Sequence, residues 1–158
     1  MNADNAVRRL FTVKEANQRL PLVRAIVQDI VNLFKDLQQR RERIASVKQL
    51  RGQGTSSSRF HSEETDQVEE EIQRDEERLA EFVRELAELG VEFKDPILGL
   101  VDFPAQMDDR VVQLCWKLGE PEVQFWHELD AGFSGRQLLL AETVSGGPTG
   151  PKEEDPRS

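Results

Sequence analysis

Apolar residues recur along the first third of the chain in steps of three and four: Val13, Ala16, Leu20, Val23, Val27, Ile30, Phe34, Leu37 and Ile44, with Arg41 interrupting one seam position. That spacing keeps a single apolar stripe on a slightly supercoiled α-helix. Thr12 and Glu15 stand three apart at its start, the spacing of a capping box in which each side chain serves the other's backbone N–H. Pro21 has no amide hydrogen and restrains Leu20 before it. The pattern therefore predicts a short helix over about 13–19 and a long one starting near Pro21, a residue suited to a first helical turn. A second stripe follows at Val68, Ile72, Leu79, Phe82, Leu86 and Leu89, broken at Asp75 and stopped by Gly90. Residues 52–62, GQGTSSSRFHS, are rich in Gly and Ser, lack any period, and read as a flexible connector. Two arms of similar length joined this way predict an antiparallel hairpin, each arm roughly 40 Å long at about 1.5 Å per residue.

Beyond Gly90 the rhythm shortens. Val91 to Lys94, Leu100 to Phe103, Val111 to Trp116 and Val123 to Leu129 read as short strands. Asp95-Pro96, Asp108-Asp109 and Gly119-Glu120-Pro121 punctuate them as turns. Connections this short favour an antiparallel meander of about four strands. Residues 142–158, ETVSGGPTGPKEEDPRS, carry too little apolar surface to fold and read as a disordered tail. The expected organisation is a flexible N-terminus at 1–11, a helical hairpin over 12–89, a β unit over 90–141 and the tail, an α+β chain overall.

Charge sharpens the hairpin. The formal net charge is −9, but it is unevenly spread. Thr12 to Arg51 holds nine Lys/Arg against four Asp/Glu, a net +5, and Ser62 to Leu89 holds three Arg against twelve Asp/Glu, a net −9. A basic arm followed by an acidic arm suggests two segments that pair with each other. Overall acidity argues against a nucleic-acid partner, although Arg40, Arg41, Arg43, Lys48 and Arg51 would be the surface such a partner used. Hydrophobic residues make up 37% of the 158, so the chain suits one small domain carrying long exposed helices. No apolar run reaches the roughly 20 residues of a membrane span, and the opening MNADNAVRRLFTV lacks a signal-peptide core. One cysteine cannot form an internal disulfide. The expected location is the cytoplasm.

The chemistry-bearing residues concentrate in 99–136, which contains both tryptophans, the cysteine and one of the two histidines. The runs GLVDFPA, LCWKLGEPEV and FWHELDAGFSGR, with the opening FTVKEANQRLPLV, resemble a family of small prokaryotic proteins known as a domain of unknown function. The resemblance covers about residues 10–138. It implies a helical hairpin joined to a small β unit, a bacterial protein, and no established activity.

Within that segment His127, Cys115, Asp102 and Glu128 are the catalytic candidates. Cys115 and His127 on neighbouring strands face each other only if the turn register allows, since a one-residue slip moves one of them to the other face. If they meet, the imidazole could activate the thiol; otherwise Cys115 is a buried filler beside Trp116 and His127 belongs to a polar network. No cofactor and no metal are expected, because CxxC and HExxH spacings are absent; His127, Glu128 and Cys115 are the residues that would ligate one. Arg136, Ser134 and Gly135 could cradle an anion in the AGFSGR corner. The competing reading is an internal ion pair of Arg136 with Glu128, Glu120 or Asp102. Trp116 and Trp126 are expected under the sheet. Together these observations favour a non-catalytic interaction or ligand-binding module, forming a homodimer or docking a protein partner through the hairpin. The alternatives are a small hydrolase or transferase built on Asp102, Cys115, His127, Glu128 and Arg136, and a nucleic-acid-associated factor using the basic first helix.

Overall fold

The computed structural model describes residues 9–51 and 58–139. Helix α1 runs Val13–Arg51, 39 residues, and α2 runs Ser58–Glu88, 31 residues. Strands β1 (Glu92–Asp95), β2 (Leu100–Met107), β3 (Arg110–Lys117), β4 (Phe125–His127) and β5 (Gln137–Leu138) follow, with a 3-10 turn at Phe133–Gly135. They form one antiparallel sheet in the order β1-β2-β3-β4-β5, a meander. The α+β expectation holds, with five strands where the pattern had indicated about four.

The capping box closes α1 as its residues dictate. Thr12 N donates to Glu15 Oε1 at 3.1 Å and Glu15 N donates to Thr12 Oγ1 at 3.0 Å. Contrary to the predicted break, α1 is a single helix with Pro21 inside it. Pro21 lies on the exposed side, while Leu20 and Val23 on either side of it are buried in the core. Asn17, whose carbonyl sits four residues back and loses its usual donor, is held by its side chain instead. Its Nδ2 donates to Val13 O at 3.2 Å, and its Oδ1 accepts from Val123 N at 2.7 Å. Packing on both sides of the proline thus outweighs its local preference.

The end of α2 is a Schellman turn. Gly90 adopts φ +89°, Gly90 N donates to Ala87 O at 2.9 Å, and Val91 N donates to Leu86 O at 2.9 Å. Leu86 and Val91 are both buried, the apolar contact that accompanies this motif. The helix begins at Ser58, ahead of the predicted start, so residues 58–62 of the expected connector are helical; 52–57 lie outside the described residues.

The arms are antiparallel and charge-matched. Arg40 donates to Asp75 at 2.6 Å, Arg41 pairs with Glu76, and Lys48 pairs with Glu69, so from Arg41 to Lys48 rising numbers on α1 meet falling numbers from Glu76 to Glu69 on α2. The two seam interruptions are thereby explained: Asp75 and Arg41 are inter-arm ion-pair residues. The same pairs engage three cations of the basic arm with the acidic one.

One sheet face packs on the proximal half of the hairpin. Ala16, Leu20, Val23, Ile26, Val27 and Ile30 of α1 and Leu86 of α2 share a core with Val101, Phe103, Val112, Leu114, Trp116 and Trp126. Both tryptophans are core residues, as expected. Phe11 joins them from the segment expected to be flexible: its ring meets Phe103 edge-on at 5.2 Å, and its N–H donates to Pro104 O at 2.7 Å. Beyond Val31 on α1 and Leu79 on α2 the sheet no longer contributes. Leu37 and Ile72 are buried between the arms, and further out Val47 and Leu50 are exposed. Among the described residues no helix is long and apolar enough to cross a membrane. The C-terminal tail lies outside the described residues.

Candidate functional site

Strand alternation sorts the candidate residues. On β2, Val101 and Phe103 enter the core, so Asp102 faces away from the helices. On β3, Val112, Leu114 and Trp116 enter it, which turns Gln113 and Cys115 outward, and on β4 Trp126 enters it, which turns Phe125 and His127 outward. Asp102 lies opposite Cys115, Cys115 opposite Phe125, and Gln113 opposite His127. The register question is settled: Cys115 and His127 share a face, one diagonal step apart. Three adjacent strands deliver Asp102, Cys115 and His127 to one spot, although this face is remote from the helices. All three are buried, at 2%, 0% and 3% exposure.

Hydrogen bonding orients the imidazole fully. His127 Nδ1 lies 2.7 Å from the Glu128 carbonyl oxygen, which can only accept, so Nδ1 carries a hydrogen. Nε2 lies 3.2 and 3.1 Å from the two Asp102 carboxyl oxygens. Both nitrogens are hydrogen-bonded, Nδ1 to a backbone carbonyl and Nε2 to the Asp102 carboxyl. Burial pushes the Cys115 thiol up to about 12, with the neighbouring Asp102 carboxyl acting in the same direction. Burial also raises Asp102, against the opposing pull of His127.

The other candidates lie elsewhere. Glu128 follows His127 and turns back toward the Trp126 side, where Arg110 grips it with Nε to Oε1 at 2.9 Å and Nη2 to Oε2 at 2.5 Å. Arg110 also sits 5.9 Å from the Trp126 ring centre. Glu128 therefore offers its backbone carbonyl to His127 while its carboxylate is bound by Arg110. Arg136 makes a two-pronged pair with Glu120, Nη1 to Oε2 at 2.8 Å and Nη2 to Oε1 at 2.7 Å. Its guanidinium lies between the rings of Phe125 and Phe133, 4.0 and 4.8 Å from their centres. The internal ion pair is thus the arrangement found, with Glu120 as the partner. Gly135 N is used inside its own turn, donating to Gly132 O at 3.0 Å, and Ser134 is exposed. The anion-cradle reading of Arg136, Ser134 and Gly135 loses two of its donors to these bonds.

Sequence reasoning missed Gln113, a further buried polar residue on this face. Its Nε2 donates to Glu92 Oε1 at 3.0 Å, while its Oε1 is buried without a partner among the described residues. The signal was available: in VVQLCWK, Gln113 and Cys115 alternate with apolar neighbours and must share a face if the segment is a strand.

Asp102, Cys115 and His127 are also the described residues that could hold a metal ion, each offering one ligand atom within 4.8 Å of the others. No curated protein and no solved structure matches the chain. A family model matches residues 9–139, and the chain belongs to the uncharacterized conserved protein family DUF2203.

Proposed function

We propose that the protein is a non-catalytic interaction module that pairs with a second copy through the distal end of its hairpin. The observation that carries this reading is the length of hairpin left without a third layer. From Val31 to Arg51, α1 extends roughly 30 Å at about 1.5 Å per residue, past the last residues that pack on the sheet. Along it Ile44, Val47, Thr65 and Val68 line an apolar groove of about 310 Å³. Arg40 and Arg43 border the groove on one arm, and Glu64 and Glu71 border it on the other. A two-fold axis running along such a groove sets each copy's Arg43 against the other's Glu64 and Glu71, a self-complementary arrangement that makes a four-helix layer. The enclosure of Asp102, Cys115 and His127 supports the non-catalytic part of the reading. An unpaired thiol suits a reducing compartment such as the cytoplasm.

Sedimentation equilibrium over a wide concentration range tests the pairing. The wild type is expected to reach the mass of two chains, and Val47→Glu to remain at one chain with an unchanged far-UV spectrum. A wild type that stays at one chain at the highest concentration overturns the proposal.

A further inference from the structure

The polar face of the sheet carries a second, independent feature, and the hydrogen-bond inventory of His127 exposes it. With Nδ1 bearing the hydrogen donated to Glu128 O, a neutral imidazole presents the Nε2 lone pair directly to the Asp102 carboxyl. Two acceptors 3.1 Å apart in a buried place are held together only by a cation or proton shared between them. Cys115 Sγ, from the residue directly across from Asp102, belongs to the same group of ligand atoms. We propose that Asp102, Cys115 and His127 bind a single divalent transition metal ion of the zinc class.

Four features of the structure agree with that occupant. Thiolate, imidazole nitrogen and carboxylate oxygen form a donor set that zinc accepts and that magnesium or calcium does not prefer. The hydrogen bond from Nδ1 to a backbone carbonyl is the outer contact that metal-bound histidines characteristically make, fixing the ring with Nε2 toward the ion. Three strands of one sheet supply the ligands, so the site is built on rigid elements without needing the local spacing of a CxxC motif. Gln113, 7% exposed and the register partner of His127, holds a buried Oε1 that lacks a donor. Three protein ligands leave a fourth position on a tetrahedral ion, and a water there is a donor of the kind that oxygen lacks. Charge closes as well. A dication offsets one thiolate and one carboxylate, while the neighbouring Arg136 is already matched by Glu120. On binding, the thiol hydrogen of Cys115 and the hydrogen shared by Asp102 and His127 leave to buffer, and no other bond changes.

Cobalt(II) substitution of the full-length protein tests the site. Protein purified without chelators and then depleted of metal is titrated with Co²⁺, and zinc content before depletion is measured by plasma mass spectrometry. The expected result is one ion per chain, a sulfur-to-cobalt charge-transfer absorption and the intense visible bands of tetrahedral coordination. Cys115→Ser is expected to lose the charge-transfer absorption, and Asp102→Asn to weaken binding by at least about tenfold, the lower bound of what even outer contacts cost. Glu128→Gln, at a carboxylate directed away from the cluster, should leave the cobalt spectrum unchanged. A folded wild type that shows no sulfur-to-cobalt absorption at saturating Co²⁺ overturns the proposal without requiring any variant to fold. A charge-transfer absorption that survives Cys115→Ser overturns it too.

Discussion

At the scale of single residues, Arg136 shows how an apparently free cation is absorbed by the fold. It is enclosed by two phenylalanine rings and a carboxylate, and its Nε is buried without a partner among the described residues. Burial alone would lift the Glu120 carboxyl, but the Arg136 guanidinium and the Lys117 backbone N–H outweigh it and hold the group below the ordinary carboxylate range. The sign follows. A carboxyl lowered by folding stabilises the protein above its unfolded value near 4.5, and that contribution is lost as pH falls through the folded value. Glu120→Gln should therefore cost about 1.5–3 kcal/mol near neutral pH, the range for hydrogen bonds to charged groups, read as a lower urea midpoint at unchanged slope. The difference from wild type should narrow below about pH 4. The pair was legible in the sequence only as one of three choices, because Glu120, Glu128 and Asp102 are indistinguishable until the turns bring one of them within reach.

At the scale of elements, the continuous α1 is the instructive case. Local chemistry predicts a break at Pro21, and the tertiary contacts of Leu20, Val23 and Asn17 override it. A proline within a helix costs about 3 kcal/mol, and Pro21 lies on the exposed side. Pro21→Ala is thus expected to stabilise the protein, raising the midpoint of thermal unfolding by several degrees; a lower midpoint would mean the proline serves a packing role. The strand predicted over 123–129 was shortened for a related reason. Val123 N donates to Asn17 on α1, so it cannot join the β3 ladder, and regular pairing begins only at Phe125. Strand β5 was not foreseen because two residues following Gly135-Arg136 carry no alternation to read.

At the scale of the whole molecule, stability is distributed unevenly. The proximal hairpin and the sheet share one core, whereas the distal arms are held by Leu37, Ile72 and three ion pairs. Exposed ion pairs contribute little, about 0–1 kcal/mol each, so the distal turns should open independently of the core. Hydrogen exchange is expected to be fastest among described α1 amides beyond Ile44 and slowest at Val23–Ile30 and Leu114–Trp116. If two copies meet at the groove, the distal amides alone should gain protection as concentration rises. Uniform protection along α1 at every concentration would contradict this division.

The stripes of apolar residues, the Thr12–Glu15 cap, the Gly90 stop and the opposite charges of the two arms determined the hairpin by themselves, because each is a local pattern with a period that only one element satisfies. The alternation in LVDFPA and VVQLCWK likewise determined two core strands. The meeting of Asp102, Cys115 and His127 was decided by the tertiary structure alone. Their coming together depends on strand register across residues 102, 115 and 127, and register is set by turns and by which face finds a core. The same holds for Glu128 and Arg136, whose partners are chosen by proximity and not by residue type. Sequence specifies which side chains can carry chemistry; only the packed sheet specifies which of them share a site.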